Sequence, residues 1–416
     1  MSEYKSEFLK TLSERGYLKQ VTHPAEVDAY CAKGIPTGYI GFDATADSLH
    51  VGSLLQIMML RHLQKSGGKP IVLMGGGTTK VGDPTDKEKS RPLLTDEQIA
   101  ANMEGIKKAF QPFLTFGDGP TDAIMVNNDD WLGKLGYLEM LREVGVHFTI
   151  NTMVKQDTVA RRLAAEQPYP FLEFNYLLMQ SYDFLELYRQ LDCRMQIGGS
   201  DQWGNIVGGV DLVHKAASGD AYGITAHLIT TASGGKMGKT ADGAVWLNAD
   251  RKSPYEYWQF WRNTEDADVG RFMRLFTELP LDEIARLEAL EGAEINTAKV
   301  VLANEATKLL HGEAAAKESE AAAAAVFAAG GQADALPTVE IATSDLDGGM
   351  LVAAAFTAAG LTESNGAARR LIKQGAAKVN DTPVSDQNAS LSADDLVDGT
   401  IKLSAGKKRH ALVKAI

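Results

Sequence analysis

The first 232 residues of this 416-residue chain predict a doubly wound α/β fold. Three observations carry that prediction. Short apolar segments alternate with amphipathic ones. The first strand–helix–strand unit closes within about 35 residues, the length of a βαβ crossover. Polar, glycine-containing segments follow the apolar ones, and the crevice beyond the carboxyl ends of the strands is where an open parallel sheet binds its ligands.

Taken in order, residues 39–43 (YIGFD) read as a strand, and residues 49–65 as a helix with Val51, Leu54, Leu55, Met58 and Leu63 marking one face. Gly67 and Gly68 end that helix, and residues 70–74 (PIVLM) form the next strand, parallel to the first through a right-handed crossover. Thr95 and Gln98 make a capping box for a helix over 96–110. Strands are predicted at 123–126, 195–197 and 227–231, and helices at 131–144, 171–191 and 205–217. The result is a Rossmann-like parallel sheet.

Beyond it the pattern changes. Residues 253–330 read as helices, ending in an alanine-rich stretch over 313–335 that closes on Gly330 and Gly331. Four parts follow: a Rossmann-like domain over 1–232, a flexible loop with a helical domain over 233–330, a linker over 331–349, and a small α+β domain over 350–416. The last has a helix near 364–374 and two hairpins, at 377–384 and 400–414. It holds nine Lys and Arg against six Asp and Glu, a local excess of positive charge in a chain whose net charge is −12. An acidic body carrying a basic contact module is the expected meaning.

Composition excludes several classes. With 44% hydrophobic and 23% charged residues the chain is globular. Cys31 and Cys193 cannot build a disulfide framework or a four-thiolate metal site. No apolar run reaches the length of a membrane span, and the amino-terminal MSEYKSEFLKTL is acidic and amphipathic, unlike a signal segment. A cytoplasmic protein without a membrane partner is expected.

Five segments can carry chemistry. DSLHVGS (47–53) opens a helix, so its free N–H groups, with His50 and Gly52, suit an anionic phosphate. GGGTTKVGDPTDKEKSR (75–91) is a glycine turn after a strand, followed by Asp83, Lys87 and Arg91. SGGKMGKT (233–240) nearly fits a phosphate-binding P-loop, but such a loop must open a helix and this one runs into a strand-like ADGAVWL. What remains is a loop presenting Lys236 and Lys239. Tyr176, Gln180 and Asp183 share one face of an otherwise apolar helix, and an aspartate buried there needs partners. QIGGSDQWGN (196–205) follows a strand and offers Asp201, Gln202 and Asn205. Each segment alone also fits a capped helix start, a solvated charge run or a polar helix stripe.

Together these segments resemble the bacterial tyrosyl-tRNA synthetase family, among the class I aminoacyl-tRNA synthetases. DSLHVGS is similar to the "HIGH" motif and KMGKT to the "KMSKS" motif. FDATADSLH, GGTTKVGDP, NYLLMQSYDF and QIGGSDQWGNI match in order and spacing, and the resemblance runs over nearly the whole chain. Ser53 replaces the second histidine of "HIGH". Gly238 replaces the middle serine of "KMSKS", which is expected to loosen that loop.

The resemblance implies ATP-dependent activation of L-tyrosine to tyrosyl-adenylate, with Mg2+ accompanying the ATP, and transfer to tRNA(Tyr). It implies no protein-bound metal and no covalent intermediate. Tyr39 and Asp183 would meet the phenol hydroxyl, and Asp83, Tyr176 and Gln180 the ammonium. Gln202 would lie near the carboxylate and α-phosphate. Asp43, Gly52, Ser53, Gly199 and Asp201 would line the adenylate site. Thr45 and His50 would contact the γ-phosphate, with Lys87, Arg91, Lys236, Lys239 and Thr240 closing over it. Arg369, Arg370, Lys373, Lys407, Lys408 and Arg409 would contact tRNA, and the family is homodimeric. A tryptophanyl-type synthetase and a non-catalytic RNA-binding paralogue are the alternatives.

Overall fold

A computed structural model describes residues 4–85, 93–235, 237–240, 243–328, 337–343, 346, 348–397, 399–406 and 409–415. The chain forms two compact units, Met1–Ala316 and Lys317–Ile416.

The first unit is built on a six-stranded sheet: β1 (Leu18–Val21), β2 (Thr37–Asp43), β3 (Lys69–Gly75), β4 (Ile124–Asn127), β5 (Met195–Gly199) and β6 (Tyr222–Ala226), in the spatial order β1-β6-β5-β2-β3-β4. Neighbours among β2 to β6 run parallel, and β1 closes the edge antiparallel to β6. That edge strand, with the helix Pro24–Cys31 behind it, is absent from the sequence reading. β6 also lies one strand length before the predicted 227–231, a segment that instead leaves the sheet. Its side chains Tyr222 to Ala226 are all buried, as a strand covered on both faces requires.

The helices agree where caps are strong. Thr95 and Gln98 form the capping box of Asp96–Phe110. The predicted helix over 131–144 is broken into Asp129–Leu132 and Tyr137–Glu143, with Gly133 and Gly136 between them. That over 171–191 is interrupted at Asn175, giving Phe171–Phe174 and Tyr176–Leu191, and the last of the sheet helices is Trp203–Ala217.

Sheet connectivity makes the site. Chain order runs from β2 outward through β3 to β4, then returns to the other side of β2 with β5, so the switch point lies between β2 and β5. β2 stays paired with β3 over seven residues but with β5 only at Gly38–Met195 and Tyr39–Gln196. The two strands diverge beyond Tyr39, and the gap opens at their carboxyl ends.

The rest of this unit is helical. Pro254–Arg262, opened by a capping box of Ser253 and Glu256, packs on Ile295–His311, and Trp258 donates to Asn304 Oδ1 at 2.7 Å. The helix Val51–Lys65 is tied to the segment after Val269–Phe276 by ion pairs from Arg61 and Lys65 to Glu278. Arg15 donates to the carbonyls of Arg274, Thr277 and Leu279.

The second unit has a five-stranded sheet in the order Thr382–Pro383, Ala377–Val379, Thr400–Ala405, Arg409–Ala415, Thr338–Ile341. Helices Val352–Ala358 and Asn365–Lys373 contribute Phe356 and Ile372 to a core with Leu391, Ile401, Leu403 and Val413. Both predicted hairpins form. The segment read as linker does not remain one throughout, because Thr338–Ile341 adds a parallel strand beside Arg409–Ala415.

Candidate active site

The gap between β2 and β5 widens into a cavity of about 400 Å3. Tyr39, Asp43, Thr45, His50, Ser53, Asp83, Tyr176, Gln180, Asp183, Asp201 and Gln202 all line it. Gly52 and Gly199 do not line it but are chain neighbours of residues that do, Ser53 and Gly198. Lys87, Arg91 and Lys236 lie outside the described residues, as do Lys407 and Lys408 in the second unit. Lys239 and Thr240 form a two-residue strand paired with Gly243–Ala244, and their side chains are outside the described set.

At the deep end stand Tyr39 and Asp183, 1% and 2% exposed. The Tyr39 hydroxyl is buried without a hydrogen-bond partner. Burying such a group unpaired is costly, which makes it a candidate for ligand contact. Asp183 is held by two donors, Trp131 Nε1 to Oδ1 at 2.7 Å and Asn128 Nδ2 to Oδ2 at 2.9 Å. Burial pushes its carboxyl up to about 7, against the pull of those two bonds and helped by the charge of Asp43. The same Asn128 accepts from the Gly77 N–H at 2.8 Å and donates to Thr78 Oγ1 at 3.0 Å, so the turn after β3 and the residue after β4 are joined beneath the pocket floor.

A second acidic group lies higher. Asp43, the last residue of β2, accepts from Thr78 Oγ1 at 2.8 Å and from the Tyr176 hydroxyl at 3.1 Å. Burial and the carboxylates of Asp43 and Asp83 push the Tyr176 hydroxyl well above its ordinary value, so it remains a protonated donor. Gln202 donates to Asp83 at 2.9 Å and to Asp201 at 3.3 Å, while Asn205 donates to Gln180 at 3.0 Å and Gln202 at 3.1 Å. With Asp183, the hydrogen-bonded Asp43, Asp83 and Asp201 bring four aspartates to one cavity, which favours a ligand that presents a cationic group there.

The cavity wall also includes a helix start, whose free N–H groups suit an anion. His50 caps the helix Val51–Lys65, its Nδ1 accepting the Gly52 N–H at 3.0 Å. The loop after β6 is drawn to this helix start by main-chain bonds, Val51 N–H to Val245 O and Leu247 N–H to Leu49 O, both 2.9 Å. Gly238 belongs to the same loop. Its φ is +81°, and a Cβ on it would meet the Gly52 nitrogen at 2.9 Å, so glycine permits the loop to approach the helix start. Its carbonyl accepts from the Val245 N–H at 3.0 Å.

Thr78, Asn128, Trp131 and Trp246 also belong to the site, although none is among the residues expected from the sequence. The first three hold carboxylates, and the fourth lines the cavity beside His50. The NNDDW run (127–131) directly after β4 is the signal that could have found Asn128 and Trp131. Among the described residues no group of three or more His, Cys, Asp or Glu could hold a metal ion, and no helix is long and apolar enough to cross a membrane.

A cavity at the switch point, an anion-suited helix start and a lysine-bearing loop docked on that start define a class I aminoacyl-tRNA synthetase. The family model described as "tRNA synthetases class I (W and Y)" matches residues 33–328, and that described as "Tyrosine--tRNA ligase SYY-like C-terminal domain" matches 330–413. The chain belongs to the bacterial tyrosyl-tRNA synthetase family. It is 62% identical over 415 residues to the tyrosine–tRNA ligase of Caulobacter sp. (strain K31), covering 100% of this chain and 99% of the relative. Against that of Rhodospirillum rubrum it is 56% identical over 416 residues, covering all of both. Among solved structures it is similar to a C-terminally truncated mitochondrial tyrosyl-tRNA synthetase of Aspergillus nidulans (TM-score 0.71, 30% identity, 78% of this chain and 95% of that one). The fold is shared with the Archaeoglobus fulgidus enzyme complexed with L-tyrosine (TM-score 0.55, 17% identity, 75% of this chain and 99% of that one).

Proposed function

We propose that the chain is a tyrosine–tRNA ligase that uses the cavity between β2 and β5 for both of its half-reactions. The tyrosine carboxylate attacks the α-phosphate of ATP, the bond to the β-phosphate breaks, and pyrophosphate leaves. The terminal ribose hydroxyl of tRNA(Tyr) then takes the tyrosyl group and releases AMP. No side chain acts as nucleophile, so the protein contributes positioning and charge stabilisation.

The observation that carries the reading is the pair at the pocket floor. The unpaired Tyr39 hydroxyl and the anchored Asp183 carboxylate suit one phenol hydroxyl, which can donate to Asp183 and accept from Tyr39. Phenylalanine entering the pocket would leave both groups unpaired, and tyrosyl-tRNA synthetase is the standard example of that discrimination. An indole has no oxygen to receive the Tyr39 donor.

The remaining roles follow the cavity upward. Asp83, Tyr176 and Gln180 take the ammonium, with Asp43 and Thr78 bracing Tyr176. Gln202 faces the carboxylate and α-phosphate. Asp201 and Gly199 face the ribose, with Gly52 and Ser53 on the nucleotide side. Thr45 and His50 receive the γ-phosphate. Lys87, Arg91, Lys236, Lys239 and Thr240 close over the leaving pyrophosphate, and Mg2+ arrives with the triphosphate. Arg369, Arg370 and Lys373, all exposed on the helix Asn365–Lys373, take tRNA phosphates, and Lys407, Lys408 and Arg409 are assigned the same role from their basic sequence run. A homodimer is supported by the large apolar side chains of Tyr137, Leu138, Val146, Ile150 and Phe171, each exposed on one of the short helices that follow β4. Its proposed location is the cytoplasm.

The Asp183→Asn variant tests the reading through the tyrosine-to-phenylalanine ratio of kcat/KM in pyrophosphate exchange. A collapsed ratio is expected. An unchanged ratio would remove Asp183 from the phenol site.

A further inference from the structure

We infer that Trp246 is a positioning residue for the ATP half of the reaction, holding His50 in its phosphate-facing orientation. This rests on the tyrosine-activating reading above and extends it to a residue outside both signature motifs.

The main chain sets the placement. Residues 245–247 run antiparallel to residues 49–51, with Val51 N–H to Val245 O and Leu247 N–H to Leu49 O. That register puts Trp246 directly opposite His50 as a bridge partner. The indole meets the imidazole edge-on, with ring centroids 6.3 Å apart at 66°, within the range for a favourable aromatic pair. It also lines the cavity.

The indole has a second neighbour. The Arg251 guanidinium lies 4.6 Å from its centroid, close enough for a cation–π contact. Arg251 is itself ion-paired to Asp47 Oδ1. Asp47 and His50 belong to the same DSLH turn, so Asp47, Arg251, Trp246 and His50 close a ring around the helix start. Asn248 fastens the same segment, its N–H to Ser48 Oγ at 3.2 Å and its side chain to the Gly105 carbonyl at 2.9 Å.

The chemistry explains why this orientation counts. Because Nδ1 of His50 accepts the Gly52 N–H, the neutral ring carries its proton on Nε2, which makes Nε2 the donor for an incoming phosphate oxygen. Where that proton points depends on ring orientation about χ1 and χ2. The cap fixes one edge of the ring and Trp246 restrains its plane. The Arg251–Asp47 pair is exposed, at 39% and 48%, and contributes little stability of its own. Its effect is to hold the indole.

The test is a double-mutant cycle in tyrosine-dependent pyrophosphate exchange, with His50→Ala, Trp246→Ala and the double variant, alongside Trp246→Phe. Trp246→Ala is expected to lower kcat by about tenfold or more, as misplacement of a reacting group does. The KM for tyrosine should hold and Trp246→Phe should recover most of the rate. In the His50→Ala background, Trp246→Ala should add less than about a twofold further loss, because the two residues act as one unit. Fully additive losses would overturn the proposal, as would an undiminished kcat in Trp246→Ala. If that variant unfolds, Arg251→Met takes its place in the cycle, with a smaller loss of the same kind expected and an unchanged kcat overturning the idea. Wild-type protein without exchange would overturn the tyrosine reading and this one together. Wild-type exchange with additive losses overturns this one alone.

Discussion

Replacing Trp131 with Phe removes one of the two donors that anchor Asp183 and keeps most of the ring. Trp131 Nε1 reaches Asp183 Oδ1 at 2.7 Å, and Asp183 already stands at about 7 because it is buried. A hydrogen bond to a charged group contributes about 1.5–3 kcal/mol. Trp131 is only half-buried, which favours the lower end, and about 1.5 kcal/mol corresponds to about one pH unit. The sign is upward, because the lost bond stabilised the ionised form. The variant carboxyl therefore titrates about one pH unit higher, and less of it can accept the phenol proton near neutrality. Since kcat/KM reports the free enzyme's ionisations, the assay is its pH profile for tyrosine in pyrophosphate exchange. The wild-type profile should rise through about pH 7. The Trp131→Phe profile should lie about five- to tenfold lower between pH 6 and 7 and converge with it at alkaline pH. Superimposable profiles, or a limb moved to lower pH, would refute the reasoning.

Two further outcomes concern the framework. A Cβ on Gly105 would lie 2.0 Å from the Asp47 carbonyl oxygen, a backbone atom in the turn leading to His50. Gly105→Ala is therefore expected to cost about 3 kcal/mol, the upper end for overpacking, and to lower exchange activity with it; thermal melting and kinetics would check this. Glu278 is held down to about 2, against its ordinary 4.5, by Arg61 and Lys65 over the opposing effect of burial. A depressed carboxyl stabilises the fold above its unfolded value, and that contribution is lost as pH falls through the folded value. Glu278→Gln should lower stability by about 1 kcal/mol at pH 7, a modest figure because the site is partly solvated, and the gap to wild type should close between about pH 4.5 and 2. Equilibrium unfolding across that range would measure it.

Local signals were legible wherever they were strong. The capping box at Thr95, the amphipathic helix predicted at 49–65 and the run PIVLM each reappear within a residue or two of where their patterns point. β1 was not legible, because LKQV has neither length nor alternation and becomes a strand only through pairing with β6, some two hundred residues on. Thr338–Ile341 escaped for the same reason, gaining its identity from residues 412–415. The site divides along the same line. Residues at strand ends and helix starts announced themselves by chemistry in a recognisable place. Asn128 and Trp131 did not, because each acts by touching Asp183, more than fifty residues further along. Trp246 looked like an ordinary apolar residue in a strand until the register with residues 49–51 put it against His50.

The central claim is that the cavity between β2 and β5 activates tyrosine by way of the Tyr39–Asp183 pair. Exchange of labelled pyrophosphate into ATP, measured with a panel of single amino acids, addresses it most directly. Exchange that depends on L-tyrosine, with phenylalanine and tryptophan near background, is the predicted result. Exchange driven by tryptophan, or tRNA binding without exchange for any amino acid, would contradict it.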